Sequence, residues 1–422
     1  MGAKYKAESF DLWQFLCGKC HVYEPFIRCR VDLAGRIDVG TLKRAVTLSK
    51  KTLPMIGCCF QDRTLRPVWV DKNFTGDDIV RAAEVGDDAE SRILEHLFSV
   101  IDVAKEPPLR ITVVTGAGGD TLCALVSHIL CDTAGLKQYL YLLSGLYTKL
   151  KRGEQPPEQT FEARGTGPLF DGIGIKEKMS ILRSEFVPPA AFGSQAQPGI
   201  SFGGEGFGTY LEKRVLPIGA LKTFVKKNGA TVNDGLMALY ARAFCKNTGA
   251  NDMFLPSTVD LRKFIPKGVK YGISNYSGDC MCRVSVGPGD PFEKTVRQFS
   301  EQMAVYKTGK RMLKNVLRWE RAVRLIPYPM MWRIFADRVM RQAIITYTNL
   351  GVIESEELKF EGAQVTSAYL TASIKARPYL LVNASTFRDC CTLSSSIYGS
   401  EADREFVVRL LEDMRDEAAG LA

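Results

Sequence analysis

The chain holds three histidines in 422 residues. One of them, His128, lies in the stretch LVSHILCDTAG, with Asp132 four residues further on. An imidazole with its ordinary pKa of about 6.5 can take a proton from an attacking hydroxyl or amine and hand it back, which suits general acid–base work at neutral pH. Asp132 is placed to orient that ring, or to lock the loop through an arginine. Taken alone, the pair reads equally as a histidine at a strand end and an aspartate capping the next helix. Cys131 stands beside it and invites reading as a nucleophile; in mid-turn between Leu130 and Asp132 it reads better as a packed thiol.

A second cluster carries chemistry by spacing. Cys17, Cys20 and His21 in CGKCH match a c-type haem attachment site, which requires export and an axial ligand. No second CxxC completes a zinc site: Cys280 and Cys282 are one residue apart, and 58–59 and 390–391 are adjacent pairs. The match reads as coincidence, and no metal is expected. The glycines of SFGGEGFG lack a P-loop lysine and a preceding apolar strand, so a linker is favoured over a phosphate cradle.

The elements that must position His128 are legible around it. FIRCRVDLAG (26–35) alternates as a strand does, and DVGTLKRAVTLSKKTLP has a helical pattern stopped by Pro54. LRITVVTGAGGDTLCALVSH (109–128) reads as a hairpin that ends on His128. Leu136, Tyr139, Leu140, Leu143, Leu146 and Tyr147 then recur at helical spacing. From about 150 to 208, Pro, Gly, Gln and Ser dominate, with one short helix near Lys176–Leu182. Beyond this come a strand (TYLEKRVLP), a helix (IGALKTFVKKNG), and ATVNDGLMALYARAF, a helix capped by Thr231 or Asn233. MCRVSVGPGDP, AIITYTNLG and YLLVNASTFRDCCTLSSSIYG read as one strand each, and ADREFVVRLLEDMRDEAAG as a closing helix. The pattern is α/β, or α+β layered, in two comparable halves. The first half spans 1–165, a linker 166–207, and the second half 208–422.

Bulk composition narrows the function classes. Hydrophobic residues make up 45% and charged residues 24%, ordinary globular values. The net charge of +9 is uneven. Between Lys307 and Arg324, seven basic residues face one acid, Glu320. That run reads as a solvated helix face, or as a patch for cofactor phosphates, an acidic carrier protein or a membrane surface. Aromatics do not interleave with it as a nucleic-acid stacking surface requires. RLIPYPMMWRIF (324–335) is strongly apolar, and reads as helix core or as the lining of an acyl or lipid-like acceptor site. No transmembrane segment is expected, since no apolar run approaches the roughly 18–20 residues that span a bilayer. MGAKYKAESFDLWQFL lacks the apolar core of a secretory signal, and twelve cysteines in so long a chain fit buried thiols in a reducing, cytoplasmic setting.

In its strand-to-helix turn, SHILCDTAG resembles the HHxxxDG motif of the condensation-domain and CoA-dependent acyltransferase superfamily. GATVNDGLMALYARAF resembles the helix that carries TVND in the wax-ester-synthase and alcohol-acetyltransferase branch, and STVDLRKFIP is similar to the stretch after it. YGISNYSGD, TYTNLGVI and TLPMIGCCF are similar to further family segments, in the family's order across nearly the whole chain.

The resemblance implies two chloramphenicol-acetyltransferase-like halves with a tunnel between them. His128 is then the general base at the tunnel midpoint. It deprotonates an alcohol or amine that attacks an acyl thioester, without a covalent acyl-enzyme. Asp132 becomes a structural residue paired with Arg262 of the other half. Thr133, Gly135, Asn275, Thr348 and Asn349 fall on the tunnel and substrate side, with Thr348 and Asn349 read either as oxyanion donors or as turn caps. The donor implied is acyl-CoA or a phosphopantetheine-linked acyl group on a carrier protein, as co-substrate and not as a resident cofactor. A monomer is expected. The chain departs from the motif at Ser127, where many relatives have a first histidine, and at Thr133, where a glycine is usual. The plant-type DFGWG segment is missing. Thr133 keeps a second reading open, a catalytically silent homologue acting as a binding or scaffold protein.

Overall fold

The computed structural model describes residues 2–20, 24–84, 88–158, 160–184, 205–308, 310–339, 345–376 and 379–421. The chain opens with β1 (Lys4–Lys6) and α1 (Ser9–Lys19). β2 (Phe26–Gly35) has the bounds its alternation predicts. α2 (Val39–Ser49) starts at Asp38, whose carboxylate accepts from Thr41 N at 2.9 Å. β3 (Cys58–Gln61) pairs with β4 (Val68–Asp71). α3 (Gly76–Ile79), β5 (Val80–Glu84) and α4 (Ala89–Leu97) lead to the hairpin strands β6 (Leu109–Gly116) and β7 (Gly119–Ser127). The hairpin turn needs Gly119, whose φ is +147° and whose added Cβ would lie 2.0 Å from Leu33 O. α5 (Thr133–Lys151) buries Leu136, Tyr139, Leu140, Leu143, Leu146 and Tyr147, the apolar stripe read from their spacing.

α6 (Ile175–Arg183) precedes the second part of the chain. β8 (Gly208–Pro217), α7 (Gly219–Lys227) and α8 (Val232–Thr248) come first. Thr231 caps α8 reciprocally with Asp234, and the helix ends on Gly249 at φ +73°. β9 (Asp252–Asp260) and β10 (Ser277–Ser285) pair antiparallel. Three helices follow, α9 (Phe292–Thr308), α10 (Leu313–Leu325) and α11 (Tyr328–Val339). β11 (Ile345–Ile353), β12 (Ala363–Thr371), β13 (Lys375–Ala376), β14 (Leu380–Phe387), β15 (Cys390–Gly399) and α12 (Glu401–Ala419) complete the chain. The stretch YLLVNASTFRDCCTLSSSIYG, read as one strand, is a hairpin of two: Arg388 turns the chain at φ +53°, and Asn383 to Phe387 pair with Cys390 to Ser394.

Among the described residues the strands form a five-stranded sheet in the order β12-β2-β7-β6-β5 and a small sheet β1-β4-β3. The third is a seven-stranded sheet in which β10-β9-β11-β14-β15-β13 run in order and β8 also pairs with β15. Each large sheet packs its own apolar core, which gives the mixed α/β, two-lobed layering expected from the sequence. The cores do not follow chain order. β12, far into the second part, pairs antiparallel with β2 from Ala363↔Gly35 to Thr371↔Arg28. Val323, Tyr328, Met331, Phe335 and Phe360 also pack into the first core.

The first lobe therefore borrows a strand and several core side chains from beyond residue 208. Expressed alone, residues 1–165 expose the β2 edge and lose those side chains. The expected outcome is a fragment with no cooperative thermal transition by circular dichroism, restored when residues 166–422 are co-expressed.

A clamped imidazole at the seam of the two lobes

β7 ends at Ser127, and His128 is the first residue past it, in the turn that leads into α5. Its backbone N–H donates to Pro25 O at 2.7 Å, which holds the turn against the start of β2. The ring is half-buried and meets Asn275, from the segment ahead of β10, through a 3.0 Å contact between Nδ1 and the Asn275 Oδ1. The neighbourhood fixes the direction of that bond. The Asn275 amide nitrogen donates to His128 O at 3.0 Å and Ile129 O at 3.4 Å, so its oxygen is the atom turned to the ring. An acceptor at that place requires a proton on Nδ1, and in a neutral imidazole Nε2 is then the basic nitrogen. Burial pushes the His128 pKa below its ordinary value. Asp132 and Asn275 oppose that shift without reversing it, and the buried Lys375 ammonium, its own pKa pushed down to about 8 by burial, adds to it.

Asp132 caps α5 by accepting from Gly135 N at 2.8 Å. Its carboxylate also takes both terminal nitrogens of Arg262, at 3.0 and 2.9 Å, the Tyr276 N–H at 2.7 Å and the Ser277 hydroxyl at 3.1 Å. Burial alone would raise this carboxyl; the Arg262 charge and the two backbone donors override it, and the net shift is downward. Arg262 moves upward for the complementary reason, and its second task is to donate to Ser274 O at 2.9 Å. The aspartate is not bonded to the imidazole. It joins the His128 turn to residues 274–277, and those residues present Asn275 to the ring.

Arg164, which no sequence pattern singles out, completes the arrangement. It is buried, pairs bidentately with the fully buried Asp11 of α1 at 3.2 and 3.0 Å, and donates to Ile273 O at 2.9 Å and to Leu130 O. Leu130 lies inside the His128–Asp132 turn and Ile273 two residues before Asn275. One guanidinium thus braces both sides of the ring, and Trp69 Nε1 satisfies Asp11 further at 2.9 Å. An isolated arginine in a loop of Gly, Pro and Thr has no periodic signal that would mark it.

The other positions sort by contact. Thr133 is the half-buried first residue of α5, and Gly135 is where backbone approach is closest. An added Cβ at Gly135 would stand 2.8 Å from Cys131 Cβ and 2.9 Å from Ser274 O. Lys137, one turn into α5, donates to Val352 O at 2.9 Å and brings the end of β11 alongside. There Thr348 shares a hydroxyl–hydroxyl bond with Thr258. Asn349 is engaged at both ends of its amide, accepting from Gly351 N at 2.9 Å and donating to Asn233 Oδ1 at 3.0 Å. That bond ties the TVND helix to the bulge in β11 between Asn349 and Gly351. Cys131 is buried and its thiol pushed far up by burial, which removes the thiolate a nucleophile needs.

The basic run does not form one patch. Lys307 serves the α8 cap, bonding Thr231 Oγ1 at 3.2 Å, and Lys310 pairs with Glu177 at 2.7 Å. Lys314 is buried, bonded to Ser184 O. His21 and part of the 203–208 glycine run lie outside the described residues. Among the described residues no three His, Cys, Asp or Glu side chains are grouped to hold a metal, and no helix is long and apolar enough to cross a membrane.

Removing one partner of a buried, hydrogen-bonded ion pair strands the other charge. Arg262→Ala and Arg164→Gln are each expected to cost about 3–5 kcal/mol of stability in urea unfolding, and to lower activity with it. His128→Ala leaves these pairs intact and is expected to stay within about 1 kcal/mol of the parent.

No protein-family model matches the chain, and none of the curated proteins does. Solved structures do. Polyketide synthase associated protein 5 from Mycobacterium tuberculosis aligns over 100% of both chains at 13% identity and a TM-score of 0.68. The first condensation domain of the calcium-dependent antibiotic synthetase, determined with a substrate analogue, covers 99% of this chain and 97% of its own at 16% identity and a TM-score of 0.69. A trichothecene 15-O-acetyltransferase from Fusarium sporotrichioides covers 98% and 96% at 13% identity, also with a TM-score of 0.69. Likeness at such identity speaks for the fold: this chain has the two-lobed fold of the condensation-domain and chloramphenicol-acetyltransferase-like acyltransferases.

Proposed function

We propose that the chain is an acyltransferase in which His128 is the general base. The observation that carries this reading is the imidazole held by Asn275 in the tautomer that leaves Nε2 basic, at the seam of the two lobes. An acceptor hydroxyl or amine placed at Nε2 gives up its proton as its oxygen or nitrogen attacks a thioester carbonyl. The carbonyl π pair moves to oxygen, and a tetrahedral intermediate forms. Its collapse expels the thiolate, which takes the proton back from the imidazolium and leaves as free thiol. No side chain is acylated, and no metal or redox step is required.

The developing oxyanion needs a donor. In the Thr258–Thr348 pair one hydroxyl donates to the other, and the accepting partner keeps its own O–H to offer. That makes the Thr348 position the better candidate, because Asn349 is engaged in the β11 bulge. The donor proposed is an acyl-CoA or a carrier-linked acyl thioester, and the acceptor an alcohol or amine. One fold neighbour is by its name an O-acetyltransferase, and others are condensation domains.

A panel of acyl-CoA and acyl-carrier donors against mixed alcohols and amines, read as thiol release, tests the reading. His128→Ala is expected to lower turnover by about 10²–10⁴-fold. A His128→Ala protein with full thiol release sinks the assignment, and a parent inert across the panel favours the silent binding homologue. The pH profile gives a second check. A base must be unprotonated, and burial holds His128 below the ordinary histidine value. The acid limb of kcat/KM is therefore expected below about pH 6.5, and a limb at or above that value contradicts the buried-base reading.

A further inference from the structure

The two helices that follow α9 leave an apolar surface uncovered. On α11, Tyr328, Met331 and Phe335 turn into the first core, where Phe335 meets Trp13 of α1 at 5.0 Å between ring centroids. That inward stripe is what an ordinary surface helix needs. Yet the outward side is apolar as well: Met330 is 57%, Ile334 38% and Trp332 37% exposed, and Leu325 at the end of α10 is 79% exposed. Leu65 adds to them at 88%. Its turn is tied to the start of α11 through Asp62, which accepts from Tyr328 Oη at 2.7 Å. Isolated exposed apolar side chains need no explanation, but three on one short helix, with Leu325 just before it and Leu65 in a turn tied to its start, do.

The charged side chains described on these helices are mainly arginines. Arg318, Arg321, Arg324 and Arg333 are exposed on the same two helices. Among the described side chains Arg318 and Arg321 have no carboxylate partner, and Arg324 reaches only Glu320, at 3.9 Å. Two nearby acids are already engaged. Asp62 is paired with Lys19 at 2.6 Å, and Glu320 accepts from Thr166 at 2.6 Å and from Ser9. Protruding Leu, Met, Ile and Trp side chains interleaved with arginines are the composition of an interfacial helix, whose apolar tips enter the acyl boundary while the guanidinium groups stay with the headgroups. A fluid interface accepts such protruding tips without the shaped complement that a folded protein partner must supply.

We propose that the outer face of α11, with Leu325 and the Leu65 turn, is a docking surface for an anionic lipid bilayer. The chain then sits on a membrane without crossing it, held by apolar insertion and by arginine attraction to acidic headgroups. α11 packs on α1, which carries Asp11 of the buried clamp, so the docked face and the His128 turn share one helix. The proposal does not depend on the transferase reading, because its readout is binding.

The test is flotation of the full chain with vesicles of phosphatidylcholine and phosphatidylglycerol in equal parts, against phosphatidylcholine alone. Binding to the mixed vesicles is expected to be about tenfold or more tighter, and to weaken as salt is raised to about 0.5 M. Trp332 fluorescence should shift to the blue on binding, and Trp332→Phe should remove the shift. Met330→Glu with Ile334→Glu should abolish flotation while leaving the melting temperature and the far-ultraviolet circular dichroism unchanged. Arg324→Glu with Arg333→Glu should lower the preference for the anionic vesicles. A parent chain that stays unbound with anionic vesicles overturns the proposal. So does equal flotation of the Met330/Ile334 variant, or a concentration-dependent dimer or a tight complex with an acidic carrier protein that this variant loses in place of vesicle binding.

Discussion

A carboxylate and a guanidinium buried against each other at the seam of the lobes set the terms for the rest of the structure. Removing Asp132 and Arg262 from water carries a desolvation cost of several kcal/mol per ion, and their attraction offsets it only if the remaining lone pairs and protons are also satisfied. Asp132 meets that condition with donors from its own helix, from Arg262 and from residues 276–277. Each of those donors lies on a different local segment. The pair is therefore stable only when the α5 turn, the loop after β9 and the start of β10 have all docked, which makes the turn holding His128 a product of lobe association. A single-segment cap would have held α5 without fixing where the second lobe sits.

The imidazole inherits its chemistry from that docking. Its proton is placed by Asn275, and Asn275 is placed because the residue after it donates to Asp132. The negative charge near the ring is thus spent on Arg262 and on backbone groups, and it does not lift the ring's pKa above the ordinary value. A histidine bonded directly to a buried carboxylate would be drawn toward the imidazolium, a poorer base at neutral pH. Arg164 extends the same logic from the other side. It binds carbonyls on both flanks of the ring with one rigid group, and Asp11 neutralises it.

What the sequence made legible followed from periodicity and from local turn chemistry. β2, the β6–β7 hairpin and α5 were readable because each buries one face, and the apolar spacing of each matches its period. His128, Asp132 and Arg262 were readable through a motif whose residues sit close in sequence or at the end of a recognisable strand. The crossing of β12 into the first sheet was not, because no local signal tells a strand which sheet it joins. Arg164 was invisible for a related reason: its partners lie 153, 109 and 34 residues away, and nothing within a helical turn of it constrains its type. Asn349 reads from the sequence either as an oxyanion donor or as a turn cap, and its bonds to Asn233 and Gly351 N appear only in three dimensions.

The motif's missing glycine illustrates the difference between a pattern and its cause. A glycine directly after the aspartate is usual in the resembling family, and Thr133 takes that place here. In this chain the backbone-to-backbone approach falls two residues later, where a Cβ on Gly135 would press on Ser274 O. That oxygen also accepts from Arg262, so a side chain at 135 would push on the segment that carries Asn275 and the Tyr276 N–H. Thr133 is half-buried at the first helical position, directly after the cap. In this chain the need for a small residue at the seam falls on Gly135. Here the N-cap bond from Asp132 to Gly135 puts the same residue in both the helix cap and the lobe contact.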